Sequence, residues 1–366
     1  MRIGRHALAA LLVSGSLLLA GSVGAAQPAP PASCLQPSGQ QLIVAHAGSL
    51  TAAFGPVEQA FTCQTGVQIQ DVTGGSVDLV RQVTAGGKPA DIVATADYVD
   101  LDQLLKPTGA ASYTIQFAAG RMVLAYSQSA VGPAGKNLPP IVDPTAPFNP
   151  PGAVPNAVDS WYQILLTPGV TLGGSHPFLD PSGYRAHLIF QLAQAHYKVP
   201  NLANDLLEHY FAIPATAPAS ANVLGKQYDF QLIYEHSAQA AAQANPDYRY
   251  AYLPEDVDLS NPAKNNDVYR KALISVPGLG LPGGPQSVDL PATRVAWGLT
   301  ILSNAPNRES AIRFLQLLFE PGEVGQSSLQ QFGPAPVSPP VVSPDDFGHL
   351  PAELQPLVKP GDPLAT

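Results

Sequence analysis

The run QLIVAHAGS, Gln41 to Ser49, sets the fold class. Gln41-Leu42-Ile43-Val44-Ala45 reads as a buried strand, and His46-Ala47-Gly48-Ser49 as the loop it runs into. Downstream, Pro56 with Val57, Ala60 and Phe61 predicts a helix with Pro in its first turn. Val67 to Val72 alternates apolar and polar residues, as a half-buried strand does, and ends at Thr73-Gly74-Gly75-Ser76. Val77, Val80 and Val83 then recur at helical spacing, and Ala90-Asp91-Ile92-Val93-Ala94 reads as a third strand. Strand, helix, strand, helix at this spacing predicts a parallel sheet with crossover helices, an α/β fold.

The pattern continues with strands at Met122–Tyr126, Val170–Gly173, Asp229–Tyr234, Lys271–Val276 and Val295–Leu302. Helices are predicted at Tyr184–Tyr197 and at Glu309–Glu320, where Ile312, Leu315, Leu318 and Phe319 share a face. Leu138 to Asp159 carries seven prolines and reads as a surface excursion; the proline-rich tail from Gly333 reads as wrapping the surface. A chain of 366 residues exceeds the size at which single cores divide, so two domains are expected.

Residues 1–26 have the form of a signal peptide: Arg2 and Arg5, an apolar stretch from Ala7 to Ala20, then small residues at Val23-Gly24-Ala25-Ala26. The apolar run is shorter than a bilayer span needs. An exported, soluble protein is the expectation. Its two cysteines, Cys34 and Cys63, suggest a disulfide in an oxidising compartment, with lipidation of Cys34 as the alternative. The net charge of −9 argues against nucleic-acid binding, which needs clustered Lys and Arg. It does not exclude a small anion, because backbone N–H groups hold one without a cation.

Three segments share one design: a strand ends, a glycine-bearing loop follows, and a Ser opens a helix or turn. They are Gly48-Ser49-Leu50, Gly74-Gly75-Ser76-Val77 and Asp180-Pro181-Ser182-Gly183-Tyr184. Helix starts carry unpartnered N–H groups and partial positive charge, and a serine hydroxyl adds a donor. In open α/β sheets such loops converge beyond the carboxyl ends of the strands. Together they predict a cradle for a dianion with no Lys or Arg beside it; each Ser alone reads as a helix cap. Donors of this kind favour a fully deprotonated anion. The G-x-S-x-G, P-loop, G-x-G-x-x-G and H-E-x-x-H motifs are all absent, so no enzyme is expected. His46 near Ser49 leaves an exported Ser hydrolase as an alternative. Tyr228, Tyr234, Tyr248, Tyr250 and Tyr252 read as strand packing or as a stacking surface.

The segments His46-Ala47-Gly48-Ser49-Leu50, Gly74-Gly75-Ser76-Val77, Ala90 to Tyr98, Trp161 to Leu166 and Asp180-Pro181-Ser182-Gly183-Tyr184-Arg185 appear in that order. With Pro334-Ala335-Pro336-Val337 and Leu354 to Val358, they resemble the tungstate/molybdate-binding proteins of ABC importers, in the archaeal-type branch. The resemblance implies a type II periplasmic-binding fold, two α/β lobes joined by a hinge of crossing strands. It implies lobe I at 41–120 and 271–333, lobe II at 121–270, a linker at 27–40 and a tail at 334–366. It further implies a monomer in the periplasm or at the cell surface that carries molybdate or tungstate to a permease, with no cofactor. By motif position Ser49 and Ser76 are the first-lobe donors, Asp180 with Ser182 the second-lobe loop, and Tyr234 a hydroxyl donor; Gly48 and Gly183 are backbone donors. Asp180 is either a direct ligand of the metal or an N-cap. The branch's Glu that completes six oxygens has no counterpart in Pro214 to Ser220, which leaves four-oxygen binding and keeps sulfate or another oxyanion as an alternative.

Overall fold

The computed structural model describes residues 34–133, 135–142, 156–213 and 227–365. Residues 1–26, read as a signal peptide, residues 27–33 of the linker, 143–155 of the excursion and the stretch 214–220 lie outside the described residues.

The first sheet is built from both ends of the chain. Strands β1 (Gln41–Ala47), β2 (Gln68–Gly74), β3 (Ile92–Thr95) and β4 (Ile115–Gly120) come first. The second sheet takes β5 (Met122–Ser127), β6 (Leu172–Ser175), β7 (Tyr210–Ile213), β8 (Phe230–Tyr234) and β9 (Tyr248–Tyr252). Then follow β10 (Leu273–Pro277), β11 (Ser287–Pro291), β12 (Val295–Ile301), β13 (Ala335–Val342) and β14 (Lys359–Pro360). The orders are β14-β13-β4-β12-β3-β1-β2 and β7-β6-β8-β5-β9. β1 is parallel to both neighbours, and its residues Leu42 to Ala47 are all buried, as in a parallel sheet covered on both faces.

The chain crosses between sheets at Gly120-Arg121-Met122 and again before Val295. These crossings are tied to neighbouring carbonyls: the Met122 N–H donates to Asp258 at 2.9 Å, and the Val295 N–H to Leu259 at 2.8 Å. Two α/β lobes with crossing strands is the observed architecture.

The main helices are α1 (Thr51–Thr65), α2 (Ser76–Val83), α3 (Pro181–Tyr197), α4 (Arg308–Phe319) and α5 (Val324–Phe332). Two expectations are corrected and one is made more specific. Pro56 lies inside α1, not in its first turn, so α1 tolerates one missing backbone donor. The strand expected at Lys271–Val276 is β10, which pairs with β11 in a separate two-stranded ribbon. The tail does not merely wrap the surface: β13 lies antiparallel to β4, with Val341 and Val342 fully buried. Its register shifts between Pro336 and Val341, the interval that holds Pro339 and Pro340, since proline cannot donate to a ladder. Cys34 and Cys63 form a disulfide that anchors the start of the described chain to α1.

Candidate functional site

The two first-lobe loops leave the sheet side by side. Ala47 and Gly74 are the last paired residues of β1 and β2, so Gly48-Ser49 and Gly75-Ser76 emerge from adjacent strand ends. β1 passes through a single 3₁₀ turn, Gly48–Leu50, into α1, while Gly75 precedes Ser76 at the start of α2. β3 ends beside them at Thr95, and the next N–H, that of Ala96, donates to Ser76 Oγ at 2.9 Å. This is the carboxyl edge of parallel strands, where open α/β folds take ligands.

Three hydroxyls here are held in the same way. Ser49 Oγ accepts from Trp297 Nε1 at 3.0 Å, Ser76 Oγ from Ala96 N, and the Tyr234 hydroxyl from Arg185 Nη1 at 2.9 Å. A hydroxyl that accepts from a fixed N–H keeps its own proton to donate elsewhere. The groups form one connected path. The Trp297 and Tyr234 rings meet edge-on at 4.9 Å, and Arg185 Nη1 also donates to the Ala96 carbonyl at 2.7 Å. His236 Nε2 donates to the Ser49 carbonyl at 3.0 Å, and burial pushes this imidazole down to about 4, which keeps it neutral near pH 7. Ser49, Ser76 and Tyr234, distant in sequence and on different lobes, are thereby brought into one region.

In the second-lobe loop Asp180 takes one of the two roles left open for it. Asp180 Oδ1 caps α3 by accepting from the Ser182 N–H at 2.8 Å, and the Gly183 N–H donates to the Asp180 carbonyl at 3.1 Å. The Gly183 amide, expected as a backbone donor, is therefore engaged by Asp180 itself. Of the two roles left open for Asp180, the cap is the one its hydrogen bonds display. Burial pushes its carboxyl up to about 6, against the Ser182 N–H and the charge of Arg185. Ser182 is buried in the first turn of α3. Gly183 is required by packing, because a Cβ there would collide with the Ser175 carbonyl oxygen. Gly48 is exposed at the start of its turn. At the start of α2, the Asp78 N–H donates across the lobes to the Leu179 carbonyl at 3.3 Å.

Arg185 overturns the expectation of a region without cations. Its guanidinium is 1% exposed and lies 2.9 Å from the Asp97 carboxylate. Asp97 also accepts from the Tyr184 hydroxyl at 2.6 Å. Burial and the charge of Asp97 push neighbouring Asp100 well above the usual carboxylate range. Arg185 stands three residues after Ser182, so α3 presents both on one side. Balanced by Asp97, it acts as an oriented donor. In the sequence Arg185 is only the end of a motif, and nothing marks Trp297 or His236. Trp297 lies 248 positions from Ser49, on β12, and nothing local to either residue announces the contact.

Two alternatives lose their geometry. The Ser49–His46 pair is not formed: Ser49 Oγ is bound to Trp297, while His46 Nδ1 meets the Ala47 carbonyl at 2.9 Å and Nε2 faces Asp71. Tyr248 of the tyrosine-rich stretch is fully buried with Val123 and Ala125, and Tyr250 and Tyr252 pack beside it.

The family model for bacterial extracellular solute-binding proteins matches residues 42–333. The chain belongs to that family. It is 31% identical over 346 residues to the molybdate/tungstate-binding protein WtpA of Pyrococcus abyssi, covering 87% of this chain and 90% of that one. Among solved structures, the sulfate-binding protein SubI of Mycobacterium tuberculosis H37Rv superposes with a TM-score of 0.54 at 18% identity, over 81% of this chain and 87% of that one. The periplasmic molybdate-binding protein of Azotobacter vinelandii gives 0.53 at 14% identity, over 80% and 98%. These likenesses establish the type II periplasmic-binding fold. Family members are extracellular or periplasmic, and this solute-binding protein is of the ABC-transporter type, which binds a ligand and works with a permease. Among the described residues no helix is long and apolar enough to cross a membrane.

Proposed function

We propose that this solute-binding protein captures molybdate or tungstate between its lobes and presents it to an ABC permease. Export by the leader at residues 1–26 is part of the same reading. The observation that carries it is the set of three hydroxyls, Ser49, Ser76 and Tyr234. Each has its acceptor side fixed by an N–H and its proton left to donate. A dianion accepts such protons, and charge-assisted hydrogen bonds are about twice as strong as neutral ones. Arg185 offsets the charge of Asp97, and burial eases protonation of Asp180, so both carboxylates repel a dianion less than free ones would. The 31% identity to the Pyrococcus abyssi protein supports the choice of oxyanion.

Native mass spectrometry of protein purified without added ligand tests this reading. A bound mass of molybdate or tungstate supports it; a different co-purified solute overturns it. Sulfate is the second reading, favoured by the absence of a carboxylate from Pro214 to Ser220, since four oxygens then suffice. Competition between sulfate and molybdate on one sample separates the two.

A further inference from the structure

A second group of polar side chains stands apart from the hydroxyl cluster, beneath α1. His46 on β1, Glu58 on α1 and Asp71 on β2 bring three ligand atoms within 4.8 Å of one another. The placement follows from the fold. Asp71 pairs with Val44 and Thr73 with His46, so in parallel strands Asp71 and His46 project from the same face as diagonal neighbours. α1 covers that face: the Phe54 ring lies 5.1 Å from the His46 ring, and Glu58 follows Phe54 by one helical turn.

The hydrogen bonding points to a ligand. His46 is fully buried, and its Nδ1 lies 2.9 Å from the Ala47 carbonyl, which accepts and so fixes a proton on Nδ1. Nε2 faces Asp71 Oδ1 at 2.9 Å, a distance that calls for a proton or a cation between them. A proton there makes an ion pair, but it leaves Glu58 Oε1 buried with no donor. A cation in place of the proton answers all three groups at once. A backbone carbonyl on Nδ1, with Nε2 directed at carboxylates, is also the arrangement that orients a metal-binding histidine.

The geometry points to a binding site for one divalent cation of the zinc class, held by His46 Nε2, Glu58 and Asp71, with water completing the shell. Two carboxylates and a neutral imidazole balance a 2+ charge. A tetrahedral zinc at about 2.0–2.2 Å from each ligand sets its donors about 3.4 Å apart, within the spread of these three atoms. An imidazole ligand selects zinc-like ions over magnesium or calcium, which prefer oxygen alone. The Asp71 side chain is 37% exposed and gives the ion a way in.

The test uses tag-free, chelator-treated full-length chain titrated with zinc chloride alone by calorimetry, with cobalt(II) absorption as a second readout. Wild-type protein should bind one zinc at this site. Asp71→Asn and Glu58→Gln, neither of them at a fully buried position, should each weaken that binding by at least about tenfold, and magnesium should not compete. Equal zinc affinity in wild type and both variants, or no saturable binding below about 1 mM, would overturn the site and leave His46–Asp71 as an ion pair only. No oxyanion enters the assay, so its outcome is independent of the transport reading.

Discussion

Arg185 Nη1 donates to the Tyr234 hydroxyl across 2.9 Å, joining α3 to the end of β8 inside the second lobe. The same nitrogen reaches the Ala96 carbonyl of the first lobe, so one guanidinium fixes a hydroxyl and bridges the lobes. Removing the hydroxyl in Tyr234→Phe leaves the ring against Trp297 but deletes one of the three donors proposed for the ligand. A hydrogen bond to a charged group contributes about 1.5–3 kcal/mol, so molybdate affinity should fall by about 10- to 100-fold. Calorimetric titration of the variant checks this, and unchanged affinity would remove Tyr234 from the site.

Arg185→Met should be costly to the fold itself. It leaves Asp97 buried and uncompensated, and breaking a buried pair on one side costs about 3–5 kcal/mol. Adding Asp97→Asn to that variant should recover part of the loss. Urea midpoints of the single and double variants measure it; equal midpoints for the two would show that the charge pairing is not what matters.

Much of the first lobe is legible in sequence because a parallel sheet writes its strands as apolar runs and its loops as glycine and serine at their ends. Ser49 and Ser76 stand out by that route, although their partners Trp297 and Ala96 do not. β13 is hidden, because prolines at 336, 339 and 340 read as loop, and only the register shift lets them sit beside β4. Arg185 is visible but hard to weigh. Its charge is neutralised by Asp97 on the other lobe, and such pairing has no local signature. The His46–Glu58–Asp71 group escapes for a similar reason: its spacing fits no metal motif until the strands and α1 are stacked.

Stability should depend on pH through Asp258 at the lobe crossing. Burial pushes its carboxyl up to about 6 from 3.8, against hydrogen bonds from Ser260 and the charge of Arg121. Below about pH 4 both folded and unfolded chains hold the proton, so the stability tied to this group is fully present. Between about pH 4 and pH 6 the unfolded chain loses its proton first, so stability falls as pH rises, by up to about 3 kcal/mol. Asp258→Asn keeps an acceptor for the Ser260 N–H, bonded at 2.9 Å, and should flatten that part of the profile. Denaturant melts across this range give the slope; an unchanged slope in the variant would contradict the assignment.

The disulfide should matter to the folded ensemble. Cys34 and Cys63 are separated by 29 positions, and closing a loop of that length stabilises by about 3–4 kcal/mol in the chain-entropy picture. The double variant Cys34→Ser/Cys63→Ser should melt lower by a corresponding amount. Oxyanion affinity should stay near wild type, because Cys63 lies toward the end of α1 away from Ser49. A large loss of affinity with little change in melting would reverse that division of roles.

The decisive comparison is calorimetric titration of the purified chain with sodium molybdate, set beside the Ser49→Ala/Ser76→Ala double variant. Saturable one-to-one binding tighter than about 100 μM in wild type, lost or reduced by at least about 100-fold in the double variant, is the expected result. Equal molybdate affinity in both proteins, or no binding of molybdate or tungstate by a wild-type chain that binds another solute, would contradict it.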